Sequence, residues 1–387
     1  MGRLFHFYGD LRMKKSLFAL AALTAVAGAA QAQSSVTLYG ALDAGLYYGN
    51  KVSTTGQDLN MAFVDSSIVS SVWGLKGSED LGSGMKANFN AESDIQLNNG
   101  GMNQNGLFRR QANVGLSDVK YGALDLGVKT NPFIAAHGLL MPVSGNSVST
   151  NIAMSGGYSD FFTRNAVTYT SPVWAGFQAQ AQVGLGNTAG ENGGGNVYAA
   201  SAAYTGINNL TVRAAYQNRV MGTSNSAANY SGMPTGLVGV PNTMFSDVST
   251  TGKTSYLAGL QYKLGAFTLA YGYAHNARDR AKFANGSYVQ ANNQFGVSYQ
   301  ATPKVLLGAT YMVGTMDQQL VNAQARYSVS PRTTAYAQLG VATNGAYAAI
   351  VPVQNQTGTQ PASSVSGYGP QANQTQSAFG LGVIHTF

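Results

Sequence analysis

"FQAQAQV", Phe177 to Val183, alternates apolar or small side chains with glutamine along its whole length. Successive side chains of a β-strand point to opposite faces. Phe177, Ala179, Ala181 and Val183 therefore share one face, and Gln178, Gln180 and Gln182 the other. A half-buried strand of a soluble sandwich and a strand crossing a membrane would both read this way. The rest of the chain decides between them.

The same alternation recurs to the C-terminus. Val36, Leu38, Leu42, Ala44, Leu46 and Tyr48 alternate with polar residues, as do Met85, Ala87, Phe89 and Ala91, and later Tyr256, Ala258, Leu260 and Tyr262. The last segment carries Phe379, Leu381, Val383, His385 and Phe387. Strands are expected near 35–48, 68–77, 85–95, 107–117, 122–129, 162–170, 177–185 and 196–205. The second half adds 209–219, 254–263, 266–275, 292–300, 304–313, 318–327, 332–341 and 377–387. Most have the length that a tilted membrane-spanning strand needs. Helical periodicity is absent outside the N-terminal leader.

The connections separate the two architectures. From the second strand on, short links (78–84, 118–121, 171–176, 206–208, 264–265, 301–303, 328–331) alternate with mostly long ones rich in Gly, Ser and Asn (49–67, 130–161, 220–253, 276–291, 342–376). An up-and-down barrel with tight turns at one end and loops at the other keeps that rhythm. A sandwich with crossing connections has no reason to. Tyr48, Tyr262, Tyr273, Tyr299, Tyr311, Tyr327 and Phe387 lie at strand ends on the apolar face, as interfacial aromatic girdles do. The glutamines of the opening stretch then face water inside a tube, and Phe177, Ala179, Ala181 and Val183 face lipid or a neighbouring subunit. The fold expected is all-β: a transmembrane 16-stranded antiparallel up-and-down barrel.

Composition agrees. Charged residues make up 10 % of the chain, against about 25 % in soluble proteins. Cysteine is absent, which excludes a disulfide scaffold, cysteine-ligated zinc, iron–sulfur clusters and thiol catalysis. Lys14 and Lys15 precede an apolar run from Leu17 to Ala30, followed by Ala30-Gln31-Ala32. This is the pattern of a secretory signal peptide cut after Ala32, with residues 1–12 an upstream mis-start. Residues 1–32 carry four of the Lys and Arg residues and one acid, so the formal net charge falls from +7 to +4 without them. A charge so mild and dispersed does not suggest a nucleic-acid partner. No other stretch could span a membrane as a helix, which leaves 33–387 as a barrel if it lies in a membrane.

Several stretches carry a resemblance: "SVTLYGALDAGLYY" (35–48), "WGLKGSEDLGSGMKANF" (73–89), "RRQANVGLS" (109–117), "RNAVTYTSPVWAGF" (164–177) and the terminal "HTF". Together they resemble the trimeric general porins of Gram-negative outer membranes, the β-proteobacterial type most of all. The resemblance implies a homotrimer joined through its first strands, contact with outer-membrane lipid and lipopolysaccharide, and Phe387 as the signal read by the assembly machinery. It also implies that the third long loop, 130–161, folds inward as a constriction. Wall arginines would face that loop across the pore. By position these are Arg110 and Arg164, with Lys76 on the face of a third. The third is itself missing: the family usually reads Ser-Arg-Trp-Gly, and this chain has Ser71-Val72-Trp73-Gly74. Val128 and Ile384 also stand where arginine is common, and Val128 shares the outward phase of Leu124 and Leu126.

Alternation and resemblance conflict at Arg110. Alternation puts it on the outward face of Ala112, Val114 and Leu116, whereas the resemblance puts it in the lumen. Arginine facing lipid at mid-membrane costs about 2–4 kcal/mol, so the lumen is expected.

Other signals have plainer readings. "GLGNTA" (184–189) matches a dinucleotide fingerprint, but without a βαβ unit it reads as a glycine-rich loop. His137, His275 and His385 are scattered, and no serine–histidine arrangement for a membrane hydrolase is visible. Glu79 and Asp80 read as solvated charge in a tight turn. Asp160 lies four residues before Arg164, and is either its local partner or the negative side of the constriction. The function expected is a passive outer-membrane diffusion channel for small hydrophilic solutes and ions, weakly anion-selective, with no catalysis, cofactor or metal. An enzyme barrel using His137 and a loop-bearing adhesin are the alternatives.

Overall fold

The computed structural model describes residues 35–51, 58–102, 106–143, 161–187, 193–220, 253–278, 288–315, 317–343 and 373–387. The expected signal peptide and Asp160 lie outside these residues.

The first strands are β1 (Ser35–Asn50), β2 (Leu59–Asp65), β3 (Val72–Gly82), β4 (Met85–Asp94), β5 (Gln111–Asp118) and β6 (Gly122–Thr130). After a helix, α1 (Pro132–Gly138), come β7 (Phe162–Thr170), β8 (Phe177–Gly184), β9 (Val197–Tyr204) and β10 (Leu210–Arg219). The remainder are β11 (Lys253–Leu264), β12 (Phe267–Arg278), β13 (Tyr288–Thr302), β14 (Val305–Gly314), β15 (Gln319–Ser330), β16 (Thr333–Thr343) and β17 (Thr375–Thr386). Every ladder is antiparallel, and β17 pairs with β1 from Ala41↔Thr386 to Asn50↔Ser377. Gly40 and Phe387 exchange two backbone hydrogen bonds of 3.1 Å, and the Phe387 ring lies over Gly40. The sheet is closed, so it has no edge to leave unpaired in lipid.

Seventeen segments make sixteen staves, because β2 and β3 share one. The upper half of β1 pairs with β2 (Ala44↔Asp65) and its lower half with β3 (Ala41↔Val72). This corrects the expected second strand at 68–77. Residues 66–71 leave the ladder, strand structure resumes at Val72, and part of the expected 49–67 loop is strand. It also corrects Glu79 and Asp80, which lie within β3 near its end rather than in a turn. The other strands fall within a few residues of their expected ranges, except that β5 begins at Gln111 rather than 107.

The barrel is apolar outside and polar inside. Val114 is 59 % and Leu381 53 % exposed, whereas Gln182 is 2 % and Asn322 fully buried. On β8, Phe177 and Ala181 face out, and Gln182 donates to Thr168 Oγ1 at 2.9 Å within the wall's inner face. Aromatic rings form bands on the outer surface: Phe267 stacks on Tyr299 (4.7 Å between centroids) beside the short β11–β12 turn. Toward the opposite end Tyr256 stacks on His275 (4.5 Å). Such bands mark the two membrane–water interfaces.

Candidate functional site

Among the described residues, two segments leave the wall and enter the lumen. The first follows β6. Asn131 caps α1 by accepting from the Phe133 N–H (2.9 Å), Pro132 stands at the first helical turn, and Gly138 ends it. Sequence reading found no helix here. The segment is too short for periodicity, yet Asn-Pro at its start and Gly at its end were legible signals. The chain then crosses to the far wall. Gly259, Gly272, Gly296 and Gly308 face inward on β11, β12, β13 and β14, and a Cβ on any of them would strike this segment. At Gly259 it would lie 2.7 Å from Leu140 and at Gly296 2.6 Å from Pro142; at Gly308 it would overlap Val143. The four glycines thus form a trough holding residues 140–143. Polar ties fix the rest: Gln261 Nε2 donates to the Leu139 and Leu140 carbonyls (3.0 and 3.1 Å), Asn131 Nδ2 to Gln217 (2.9 Å) and Gln294 Nε2 to His137 Nε2 (2.9 Å). His137 is fully buried.

The second segment is 66–71. Asp43, inward on β1 and fully buried, accepts from the Ile68 and Val69 N–H groups (2.5 and 2.9 Å) and from the Tyr336 hydroxyl (2.6 Å). Its backbone N–H donates to Ser71 Oγ (3.0 Å) and its carbonyl accepts from the Ser66 N–H (2.8 Å). Ser67 meets Tyr47 and accepts from Gln338 (3.0 Å), while Ile68 packs against Tyr336 and Ile384.

Charged side chains line the wall beside this second segment. Arg109 pairs with Asp94, and Arg110 pairs with Glu92 (2.7 Å) and Asp94 (3.1 Å). Both guanidinium groups lie over the Phe162 ring, at 5.7 and 4.8 Å from its centroid, a favourable placement for a cation. The Tyr39 hydroxyl is 2.8 Å from Asn90 and 2.9 Å from Glu92, and Lys76 sits over the Tyr39 ring at 5.0 Å. Lys129 pairs with Asp125 on the inner face of β6.

A closed barrel, apolar outside, polar within and narrowed by an infolded segment after β6, is a channel architecture. A family model described as Gram-negative porin matches residues 19–347. The chain belongs to the Gram-negative porins. It is 39 % identical over 181 residues to an outer membrane porin protein of Bordetella pertussis, covering 43 % of this chain and 46 % of that one. To outer membrane porin protein 32 of Delftia acidovorans it is 38 % identical over 175 residues, covering 43 % and 48 %. The chain thus spans about half the length of the curated relatives it matches. Its fold is similar to that of an anion-selective porin from Comamonas acidovorans, with TM-score 0.69 and 19 % identity over 92 % of this chain and all of that one. It is also similar to the trimer form of OmpT from Vibrio cholerae, with TM-score 0.63 and 14 % identity over 92 % of this chain and 99 % of that one. Family and fold place the porin in the outer membrane.

The expected site residues can now be located. Lys76 and Val72 share the inward phase of β3; Val72 is buried and pairs with Asp94 across the β3–β4 ladder. The conflict over Arg110 dissolves because it precedes β5, where alternation does not apply. Its side chain turns inward to Glu92 and Asp94. Arg164 lies at a bulge, where the register shifts between Gly127 and Lys129 and Asn165 takes φ 49°. The bulge suspends alternation there too. Arg164 is half-buried and close enough to Arg109 to repel it. Val128 faces outward opposite Ala112, and Ile384 belongs to the apolar contact around Ile68. Sequence reasoning missed Arg109, Glu92 and Asp94. Glu92 sits in the polar phase of β4, but only the ladder brings it and Asp94 to the arginines.

Proposed function

We propose that this porin is a passive diffusion channel for small hydrophilic solutes and ions, weakly anion-selective, with no reaction catalysed. The observation that carries the proposal is the glycine trough, which holds residues 140–143 against the inner wall and supports the reading of loop 130–161 as a constriction. Width and wall charge then choose what passes. Lys76, Arg110 and Arg164 line the constriction in this reading, with Val72 in place of a further cation and Asp160 on the opposing side. Weak selectivity follows from compensation, since Arg109, Arg110 and Lys129 are each paired with an acid. The Comamonas acidovorans protein of like fold is anion-selective, which supports the sign. The OmpT trimer form supports a homotrimer here, set in lipid and lipopolysaccharide and assembled through recognition of Phe387, whose place at the seam of the barrel suits that role. A signal peptide of residues 1–32 would deliver the chain for export. Burial of His137 against Gln294 speaks against its use in an enzyme.

The test is the zero-current potential of purified trimers in a planar bilayer across a KCl gradient. A small potential of the anion-selective sign is expected. Absence of conductance, clear cation preference or recovery as a water-soluble monomer would overturn the proposal.

A further inference from the structure

Among the described residues, β7 to β13 carry no Asp or Glu, and Arg213 faces inward from the middle of that arc on β10. Among the described residues it makes no ion pair, and its Nε is buried without a hydrogen-bond partner there. Its ladder neighbours are Ala203 on β9 and Gly259 on β11, too small to fill the space around a guanidinium. That space is a recess of about 160 Å³ roofed by Ala135 and Ala136 of α1 and by Leu139 just after it. Its floor carries Thr170, Gln178, Gln180 and Ser201.

We infer that this recess is a binding subsite for a small monocarboxylate anion, on the side of the infolded segment nearer the short turns. The inference rests on the channel reading above and adds a place where one class of solute pauses. The chemistry is that of an anion site. Arg213 offers a planar fork of donors suited to a carboxylate. Gln180 spends one amide hydrogen on Thr170 Oγ1 (2.9 Å) and Gln178 one on the Ser171 carbonyl (3.3 Å). Each keeps a second amide hydrogen, and the hydroxyl hydrogens of Thr170 and Ser201 complete a neutral donor set. The carbonyls around the end of α1 compete little for the fork: those of Ala136 and His137 accept from the Leu139 and Leu140 N–H groups, and those of Leu139 and Leu140 from Gln261. One cation among neutral donors balances a single negative charge. The volume far exceeds the needs of one water and suits an anion of about two to four carbons. Thr170 and Gln178 lie beside the short 171–176 turn, and Arg213 lies beside the turn before β10, so the recess opens toward that mouth.

Acetate is the probe. Single-channel conductance of trimers would be measured in potassium acetate from about 10 mM to 1 M. A pore without a site conducts in proportion to salt, whereas one that holds the permeant ion saturates. Saturation is expected with a midpoint in the ~10–100 mM range, the weak affinity a permeable site requires. Arg213→Gln should return the curve to near-linearity. The double variant Gln178→Leu/Gln180→Leu, which leaves the net charge unchanged, should raise the midpoint several-fold. Each variant is compared only as a heat-modifiable trimer, and the charge-neutral pair keeps the test open if Arg213→Gln does not assemble. A linear wild-type curve, or wild-type saturation in an assembled variant, would overturn the subsite. The KCl potential of the wild type tests the channel reading separately, so the two can fail independently.

Discussion

Residues 131–143 and 66–71 both enter the lumen, yet they are held by opposite means. The segment after β6 is held by shape: Leu140, Met141, Pro142 and Val143 lie in a trough of four glycines, with amide hydrogen bonds at its rim. The interruption of the second stave is held by a charge: one buried carboxylate, Asp43, collects two backbone N–H groups and a tyrosine hydroxyl. Burial against a complementary surface is spread over many weak contacts. A carboxylate accepting three hydrogen bonds concentrates the same task in one residue. The first device should yield by degrees and the second all at once.

The sharpest way to break that contrast is Asp43→Ala. Removing the acceptor orphans the Ile68 and Val69 donors in a buried site and leaves the Tyr336 hydroxyl only Ser67, at a cost on the order of 3–5 kcal/mol. The expected outcome is loss of heat-resistant trimer and a lowered urea midpoint for the folded barrel in lipid. A variant as stable as wild type would mean that the serine hydrogen bonds and the apolar contacts of Ile68 suffice to pin the segment.

Gly296→Val tests the other device. Its side chain would occupy the space of Pro142 and Met141, and overpacking of this kind costs about 1–3 kcal/mol. The barrel wall should survive while residues 140–143 are displaced, raising single-channel conductance. Deletion of 140–155 should do so more strongly. Unchanged conductance in an assembled trimer would place the segment clear of the permeation path.

The two devices were unequally legible in the sequence. Wall strands were readable because their period of two is local, as in Phe177–Val183. The trough glycines each sit in the inward phase of their strand, but their common purpose appears only when the four strands are aligned. The second stave misled because Ile68 and Val69 have high strand propensity, while Asp43 takes their N–H groups from the ladder. The flanking Ser66-Ser67 and Ser70-Ser71 pairs were the available hint, since serine side chains compete for backbone groups. The ion pairs around Arg110 were hidden for the same reason as the trough: register, not local pattern, creates them.

Charge offers a finer comparison between the compensated wall near Asp94 and the strands around Arg213, whose described residues hold no acid. Glu92→Gln should tilt the first toward the second. It removes one negative charge and leaves Arg110 paired with Asp94 alone. A charge ~6 Å from a passing ion is worth roughly 1–3 kcal/mol before screening, and the Debye length of about 8–10 Å at moderate salt reduces that. The zero-current potential in a KCl gradient should move toward stronger anion preference by a few-fold in permeability ratio. The shift should shrink in concentrated salt. No shift at low salt would place Glu92 away from the ion path.

Val72→Arg should have the same sign and a smaller size. Position 72 faces inward, but it is buried and lies directly across the ladder from Asp94. A guanidinium placed there would join Arg109 and Arg110 around two acids, Asp94 and Glu92. Part of its charge would be spent on Asp94, which has only two oxygens to share among three cations. The remainder, less than one full charge, would reach the lumen. Anion preference should therefore rise, but by less than in Glu92→Gln, and the double variant should exceed either alone because the added arginine then has fewer acids to meet. Potentials measured on the four proteins at one salt concentration decide the matter. A larger shift for Val72→Arg than for Glu92→Gln would mean that the new side chain extends past Asp94 into the pore. No shift at all would mean that position 72 does not border the constriction, and that the valine there is a packing choice with no bearing on selectivity.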